Sequence, residues 1–286
     1  MENIVAGIVL YNPNLNRLEQ NIRAVVSQVK RVILFDNGSK NIKEINRLLC
    51  LNDWNCVLLK KNKNMGIAYA LNQIASWSIR NGYEWVLTLD QDTVVNLGLV
   101  KEYCKYLRLP QVGQLCCNFI DRNTNKKEYD NFKSNSYVEI DKCITSGSLM
   151  NLSALKRIGG FDEKLFIDYV DFDVCFALRK NGFKNYIINF IGMSHEIGDR
   201  KEYKIGTKIF DIMNHTAFRH FFISRNEIIV FKRYPDEELP NMYFMQIKTI
   251  IKILFFEKNK FKKIFAIVRG FSQGMINTDS RGFYKL

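Results

Sequence analysis

The chain has 286 residues, 47% hydrophobic and 13% aromatic with only 4 prolines, which suits one large folded domain, or one with an appendage, and excludes a disordered polymer. A formal charge of +13 favours polyanionic partners (nucleic acid, an acidic membrane surface or a phosphorylated substrate) without choosing among them. The 7 cysteines, an odd number with no CxxC pair, argue against a zinc ribbon and demand no disulfide framework, so a reducing cytosolic setting is expected.

In chain order, IVAGIVLY (4–11) reads as a buried strand, and Leu15, Leu18, Ile22, Val25, Val26 and Val29 then fall at helical spacing. RVILF (31–35) is a second strand ending in the turn signal Asp36-Asn37-Gly38-Ser39. A short helix over 42–51 and the strand CVLLK follow. A helix over 67–81 comes next, with Gly82 placed to end it. EWVLTLD is the fourth strand. Alternating strand and helix with short connections predicts a mostly parallel sheet covered on both faces, with ligands at the carboxyl ends of its strands. Beyond 112 come the strand QVGQLCCNFID, a polar basic loop, a strand run toward Ile144, ITSGSLMN and a helix pattern from 153. The last ~80 residues read as helical, aromatic and basic without strand alternation. The expected division is an α/β domain over 1–205 and a helical extension over 206–286. No secretory signal is read in MENIVAGIVLYNPN, and no run reaches the ~18 apolar residues of a membrane span.

Several polar groups cluster at predicted strand ends. In EWVLTLDQDTVV, Asp90 and Asp92 are two residues apart. On an extended backbone such residues face one way, and two close carboxylates repel unless a cation lies between them. The alternatives are a divalent-metal site or two solvated turn acids. Tyr11-Asn12-Pro13-Asn14 and Asp36-Asn37-Gly38-Ser39 read as ordinary turns or as a nucleotide pocket with Asp36 accepting from a base N–H. Asn64-Met65-Gly66, ahead of a helix, is a cap or a place where backbone approaches a phosphate. Asp168, Asp171 and Asp173 cap a helix or supply a general base. His195, beside Glu196, has a structural reading as well as a ligand one.

Taken in order, IVLYNP, ILFDNGS, NKNMGIAYALN, WVLTLDQD, TSGSLMN, FDEKLFIDYVDFDVCFALRKNGF and SHEIGD resemble inverting glycosyltransferases of family 2, with the GT-A fold. DQD, IDYVD and HEIGD are similar to a bacterial rhamnosyltransferase-like group. The resemblance spans about residues 4–200, and RHFFISRNEIIVFKRY continues it. It implies a Rossmann-like sheet and a donor site built from Tyr11, Asn12, Asp36, Asn64, Gly66, Asp90 and Gln91. It implies Mg²⁺ or Mn²⁺ held by Asp92 with His195, an acceptor side at Ser146 and Gly147, and Asp171 as base. Many relatives have Glu-Asp where this chain has Val170-Asp171, so Asp168 is the candidate for the second acid. The donor implied is dTDP-L-rhamnose, or another sugar nucleotide such as a UDP-hexose. The acceptor implied is a lipid-linked glycan of a surface polysaccharide.

The tail fits that picture. Residues 247–269 carry seven Lys/Arg against one Glu, too interrupted to span a membrane but suited to lying on an anionic one. A packing helix or a homo-oligomer contact is the alternative. A cytoplasmic enzyme, peripheral on the inner membrane, is expected. A nucleic-acid binder would instead interleave stacking aromatics with Lys/Arg on a platform, and no such motif is present, so no nucleic-acid partner is expected.

Overall fold

The computed structural model describes residues 3–121, 126–127, 129, 132, 136–195, 201–205, 208–237, 241–277 and 280–286. The chain forms two compact units. The first comprises Met1–Glu163, Asp171–Glu196 and Phe283–Leu286; the second comprises Lys164–Val170 and Ile197–Gly282.

The first unit opens with β1 (Ile4–Leu10), α1 (Leu15–Val26), β2 (Val32–Asn37), α2 (Ile42–Cys50), β3 (Cys56–Lys61), α3 (Ile67–Arg80) and β4 (Trp85–Asp90). Asn14 starts α1 by accepting the Arg17 N–H at 3.1 Å, and Leu18, Ile22 and Val25 then face the core. β2 is buried along its whole length, as a strand covered on both faces must be. Next come β5 (Val94–Val95), α4 (Leu99–Cys104), β6 (Val112–Asp121), β7 (Lys126–Lys127), β8 (Tyr137–Ile140), β9 (Ser148–Asn151), α5 (Leu152–Arg157), α6 (Val170–Lys180) and β10 (Lys184–His195).

The sheet order is β3-β2-β1-β4-β9-β6-β10-β5, with β7 paired to β6 and β8 to β10. Parallel pairing joins β3, β2, β1 and β4, and also β6 and β10. β9 runs antiparallel between β4 and β6. The register sets Leu10 against Asp36 and Val9 against Asp90. The carboxyl ends of three neighbouring strands therefore form one edge bearing Tyr11, Asp36 and Asp90.

Cys116 and Cys143, 27 residues apart in sequence, are brought together where β6 meets the segment before β9. One expectation is corrected: the C-terminal region also contains strand, since β11 (Lys201–Ile205) and β12 (Lys208–Ile212) pair antiparallel, the second of them inside the part expected to be helical. Glu202-Tyr203-Lys204-Ile205 alternates charged and apolar residues, but KIFDI sets Ile209 beside Phe210, so the period-two signal is too short to read.

The second unit continues with α7 (Ala217–Arg233), α8 (Met242–Phe256) and α9 (Lys260–Ile276). Thr216 caps α7 by accepting the Arg219 N–H. Within this unit Lys263 and Glu257 form a buried ion pair at 2.6 Å. Among the described residues, no helix is long and apolar enough to cross a membrane.

Candidate active site

The site grows from the end of β4. The strand stops at Asp90, and the Thr93 N–H donates to the Asp90 carbonyl at 3.2 Å. Asp90-Gln91-Asp92-Thr93 is thus a tight turn, so the two carboxylates do not share a strand face as period-two alternation predicts. They project from positions one and three of a turn, each half-buried.

This turn is held from several sides. Buried Asn21 of α1 donates to the Asp90 carbonyl at 2.7 Å, and Arg17 Nε donates to the Asp92 carbonyl at 2.8 Å. The Gln91 side chain accepts the Tyr11 N–H at 2.8 Å. The Ser146 hydroxyl, 4% exposed, accepts the Asp90 N–H at 3.1 Å and lies 2.8 Å from Thr93 Oγ1. Gly147 donates its N–H to Thr88 and accepts the Tyr103 hydroxyl at 2.5 Å. Ser146 is therefore brought against the acidic turn as a buttress, while Gly147 is tied to β4 and to Tyr103. Asn21, Arg17, Thr93 and Tyr103 carry no motif of their own; the sequence marks them only as helix, strand or core residues.

β5 leaves the turn and pairs antiparallel with the end of β10, Val94 opposite Ser194 and Val95 opposite Met193. Continuing that register sets Thr93 across from His195, the last residue of β10. The backbone thus brings His195 beside the Asp92 turn from 103 positions away in sequence; its side chain lies outside the described residues. Among the described residues, no three His, Cys, Asp or Glu groups form a ready-made metal cage. Mg²⁺ and Mn²⁺ in nucleotide sites take most of their oxygens from phosphate and water, with one or two protein donors. A half-buried carboxylate on a fixed turn, with a histidine at the neighbouring strand end, fits that demand.

Two strands along from β4, on β2, Asp36 is 2% exposed. Its carboxylate accepts the Gly38 N–H at 3.3 Å and the Ser39 N–H at 3.2 Å, so it caps its own turn. Asn12 donates its N–H to Ser39 Oγ and accepts the Lys40 N–H, both at 2.8 Å. Buried Asn37 ties in the next loop: it donates to Asn64 Oδ1 and the Gly66 carbonyl at 3.0 Å and accepts the Met65 N–H at 2.9 Å. Gly38 is required there. Its φ is +87°, and a Cβ would sit 2.8 Å from the Lys63 backbone. The predicted donor residues Tyr11, Asn12, Asp36, Asn64, Gly66, Asp90 and Gln91 thus lie on one hydrogen-bonded edge. A cavity of about 430 Å³ lined by Ile4, Gln28, Leu97 and Cys104 lies where β1 begins and is not part of it.

Asp171 is the second residue of α6, half-buried, and its carboxylate accepts the Phe172 N–H at 3.0 Å. Asp173 is fully buried in the same turn. Asp168, in the second unit, is clasped by Arg219: Nη2 lies 2.9 Å and Nε 3.1 Å from Oδ1.

The profile of Glycosyl transferase family 2 matches residues 6–187. The chain is 29% identical over 246 residues to a dTDP-rhamnosyl transferase, RfbF, of Shigella flexneri, covering 81% of this chain and 80% of that protein. Among solved structures it is similar to TarS 1-349 of S. aureus (TM-score 0.59, 13% identity, 96% of this chain and 81% of that one). It is also similar to the mannosyltransferase PcManGT of Pyrobaculum calidifontis, solved with GDP-Man and Mn²⁺ (TM-score 0.58, 13% identity, 97% and 76%). With that sheet, that edge and these relatives, the chain belongs to glycosyl transferase family 2 and is a rhamnosyltransferase-like glycosyltransferase of GT-A fold.

Proposed function

We propose that the protein moves L-rhamnose from dTDP-L-rhamnose to a hydroxyl of a lipid-linked oligosaccharide in surface-polysaccharide synthesis, inverting the anomeric centre. The observation that carries this reading is the buttressed Asp90–Thr93 turn beside Asp36 and the end of β10, in a chain similar over most of its length to a dTDP-rhamnosyl transferase. In this reading Tyr11, Asn12 and Asp36 bind the base, Asn64 and Gly66 border the donor, and Asp90 and Gln91 orient the ribose. Asp92, with His195, would hold Mg²⁺ or Mn²⁺, and the ion would supply positive charge to offset that of a diphosphate leaving group. Asp171 takes the proton of the acceptor hydroxyl as its oxygen attacks the anomeric carbon and the bond to the diphosphate breaks. The Arg219 clasp gives Asp168 a holding role and supports Asp171 as the base.

The acceptor's lipid puts the reaction at a cytoplasmic membrane face. Support comes from the stripe Phe244, Ile247, Ile251 and Phe255 on α8 and from Phe261 and Phe265 on α9, all exposed, with Phe261 at 89%. Exposed Lys248, Lys258, Lys260 and Lys262 lie among them, a combination suited to an anionic bilayer. A two-fold self-contact would bring these lysines against one another.

The test is a panel of sugar nucleotides incubated with purified protein and Mn²⁺, reading released nucleoside diphosphate. Release from dTDP-L-rhamnose alone is expected. Preferential turnover of a UDP-hexose would replace the donor while leaving the family chemistry; no turnover of any donor would overturn the reading.

A further inference from the structure

The segment Lys164–Tyr169 takes a backbone that its sequence would not choose. Phe166, Asp168 and Tyr169 have φ of +63°, +64° and +63°, a left-handed conformation that residues with side chains rarely adopt. Such a shape persists only where its surroundings over-determine it.

Here one face of α7 does so. Asn226, fully buried, turns its Nδ2 toward the carbonyls of Leu165, Ile167 and Asp168 at 2.7, 2.8 and 2.9 Å. Its Oδ1 accepts from Arg225 Nε at 2.9 Å and Nη2 at 2.8 Å, which fixes the amide's orientation. Arg225 Nη2 also donates to the Lys164 carbonyl at 2.6 Å and the Leu165 carbonyl at 3.2 Å. Further toward the start of α7, Arg219 clasps the Asp168 carboxylate. The Phe166 ring stacks on Phe222 at 5.0 Å and meets Phe218 edge-on at 6.0 Å. Glu227 accepts a hydrogen bond from Tyr169. Positions 218, 219, 222, 225 and 226 recur at helical spacing and form one stripe. All of them touch the same six-residue segment.

That segment runs without a break into α6, whose second residue is Asp171. We propose that Asn226 is a positioning residue: with Arg225 and Arg219 it moulds residues 164–169 into the left-handed turn from which α6 begins, and so sets where Asp171 presents its carboxylate. The purpose of the turn rests on the reading of Asp171 as base; its mechanics do not.

Two readouts on Asn226→Ala separate these. Amide exchange of the peptide covering 164–171, followed by mass spectrometry, reads the clamp itself: its exchange is expected to accelerate ~10-fold or more while the strands of the first unit stay protected. Steady-state kinetics read the positioning. Misplacing a base by about an ångström costs up to ~10²-fold, so kcat is expected to fall by ~10- to 10²-fold with KM for the donor unchanged within about twofold. Arg219→Gln, at the margin of the same clasp, is expected to show both effects more weakly and serves if Asn226→Ala does not fold. Unaltered exchange in 164–171 would overturn the clamp. Faster exchange with unchanged kcat would overturn the positioning role. Full activity in Asp171→Asn would remove the base reading while leaving the exchange result to stand.

Discussion

Asp92 carries its functional expectation on one side chain, because its backbone is already committed: its carbonyl accepts from Arg17 and the turn closes through Thr93. Asp92→Ala is therefore expected to fold normally while losing activity and the Mn²⁺-dependent part of stabilisation by dTDP. At a ligand concentration ~100 times Kd that stabilisation is about 2.7 kcal/mol in the native protein, readable by thermal melting with and without Mn²⁺. Asp171→Asn is expected to lower kcat by ~10²- to 10⁴-fold, the usual worth of a general base, with donor binding by calorimetry intact. A third residue titrates where stability can be read. Burial pushes the Glu227 carboxyl up to about 7, against hydrogen bonds from Tyr169 and Gln246 that lower it. An unfolded glutamate loses its proton near 4.5 and the folded one near 7, so between those values the folded state binds more protons. Glu227 therefore withdraws stability as pH rises through that window, by about 3 kcal/mol at most. His215, held down to about 4 mainly by burial, acts oppositely below 6.5, where the unfolded state binds the extra proton. The comparison that isolates Glu227 is urea unfolding of Glu227→Gln beside the native protein at pH 5 and pH 8. The variant should gain relative stability at the higher pH.

At the scale of elements, α7 and α9 pack backbone to backbone. A Cβ at Gly270 would sit 2.3 Å from the Phe221 carbonyl oxygen, and one at Gly274 would sit 2.7 Å from that of Arg225. Gly270→Ala must push the helices apart and is expected to destabilise the second unit by about 1–3 kcal/mol, read as a lower urea midpoint. The α7 stripe that holds residues 164–169 would loosen with it. Much of the first unit was legible beforehand. Its strands are apolar runs stopped by turn residues, its helices show a 3.6-residue period, and β2, α3 and β4 fall within two residues of their expected bounds. The acidic edge was legible too, since Asp36, Asp90 and Asp92 all lie at strand ends. What escaped was long-range or irregular. β5 is a two-residue strand recognisable only through its partner in β10. Asp90 and Asp92 read as strand neighbours because nothing local announces that the ladder ends between them. The Ser146 hydroxyl against Asp90 and Thr93 likewise shows only on folding. Asn226 carries no local signal, because the carbonyls it serves lie about 60 positions earlier.

For the whole molecule, the +13 charge and the exposed apolar residues of α8 and α9 predict a salt-sensitive affinity for anionic vesicles. Each surface lysine contributes about 1 kcal/mol on such a membrane, so Lys258→Gln with Lys262→Gln should lower partitioning ~30-fold. Flotation with phosphatidylglycerol-containing and neutral vesicles checks this, with turnover of a water-soluble acceptor unchanged. A wider consequence lies in how the chain is threaded. It leaves the first unit after Glu163, rejoins it at Asp171, leaves again after Glu196 and comes home at Phe283. There the Tyr284 N–H donates to the Gly159 carbonyl at 2.8 Å and its hydroxyl to Asp162 at 3.0 Å. No single cut yields either unit whole. A polypeptide truncated near residue 200 would strand the 164–169 turn without its mould, and a cassette exchange at that boundary would join mismatched halves. An exchange that is to keep both units whole must move the interlaced segments together.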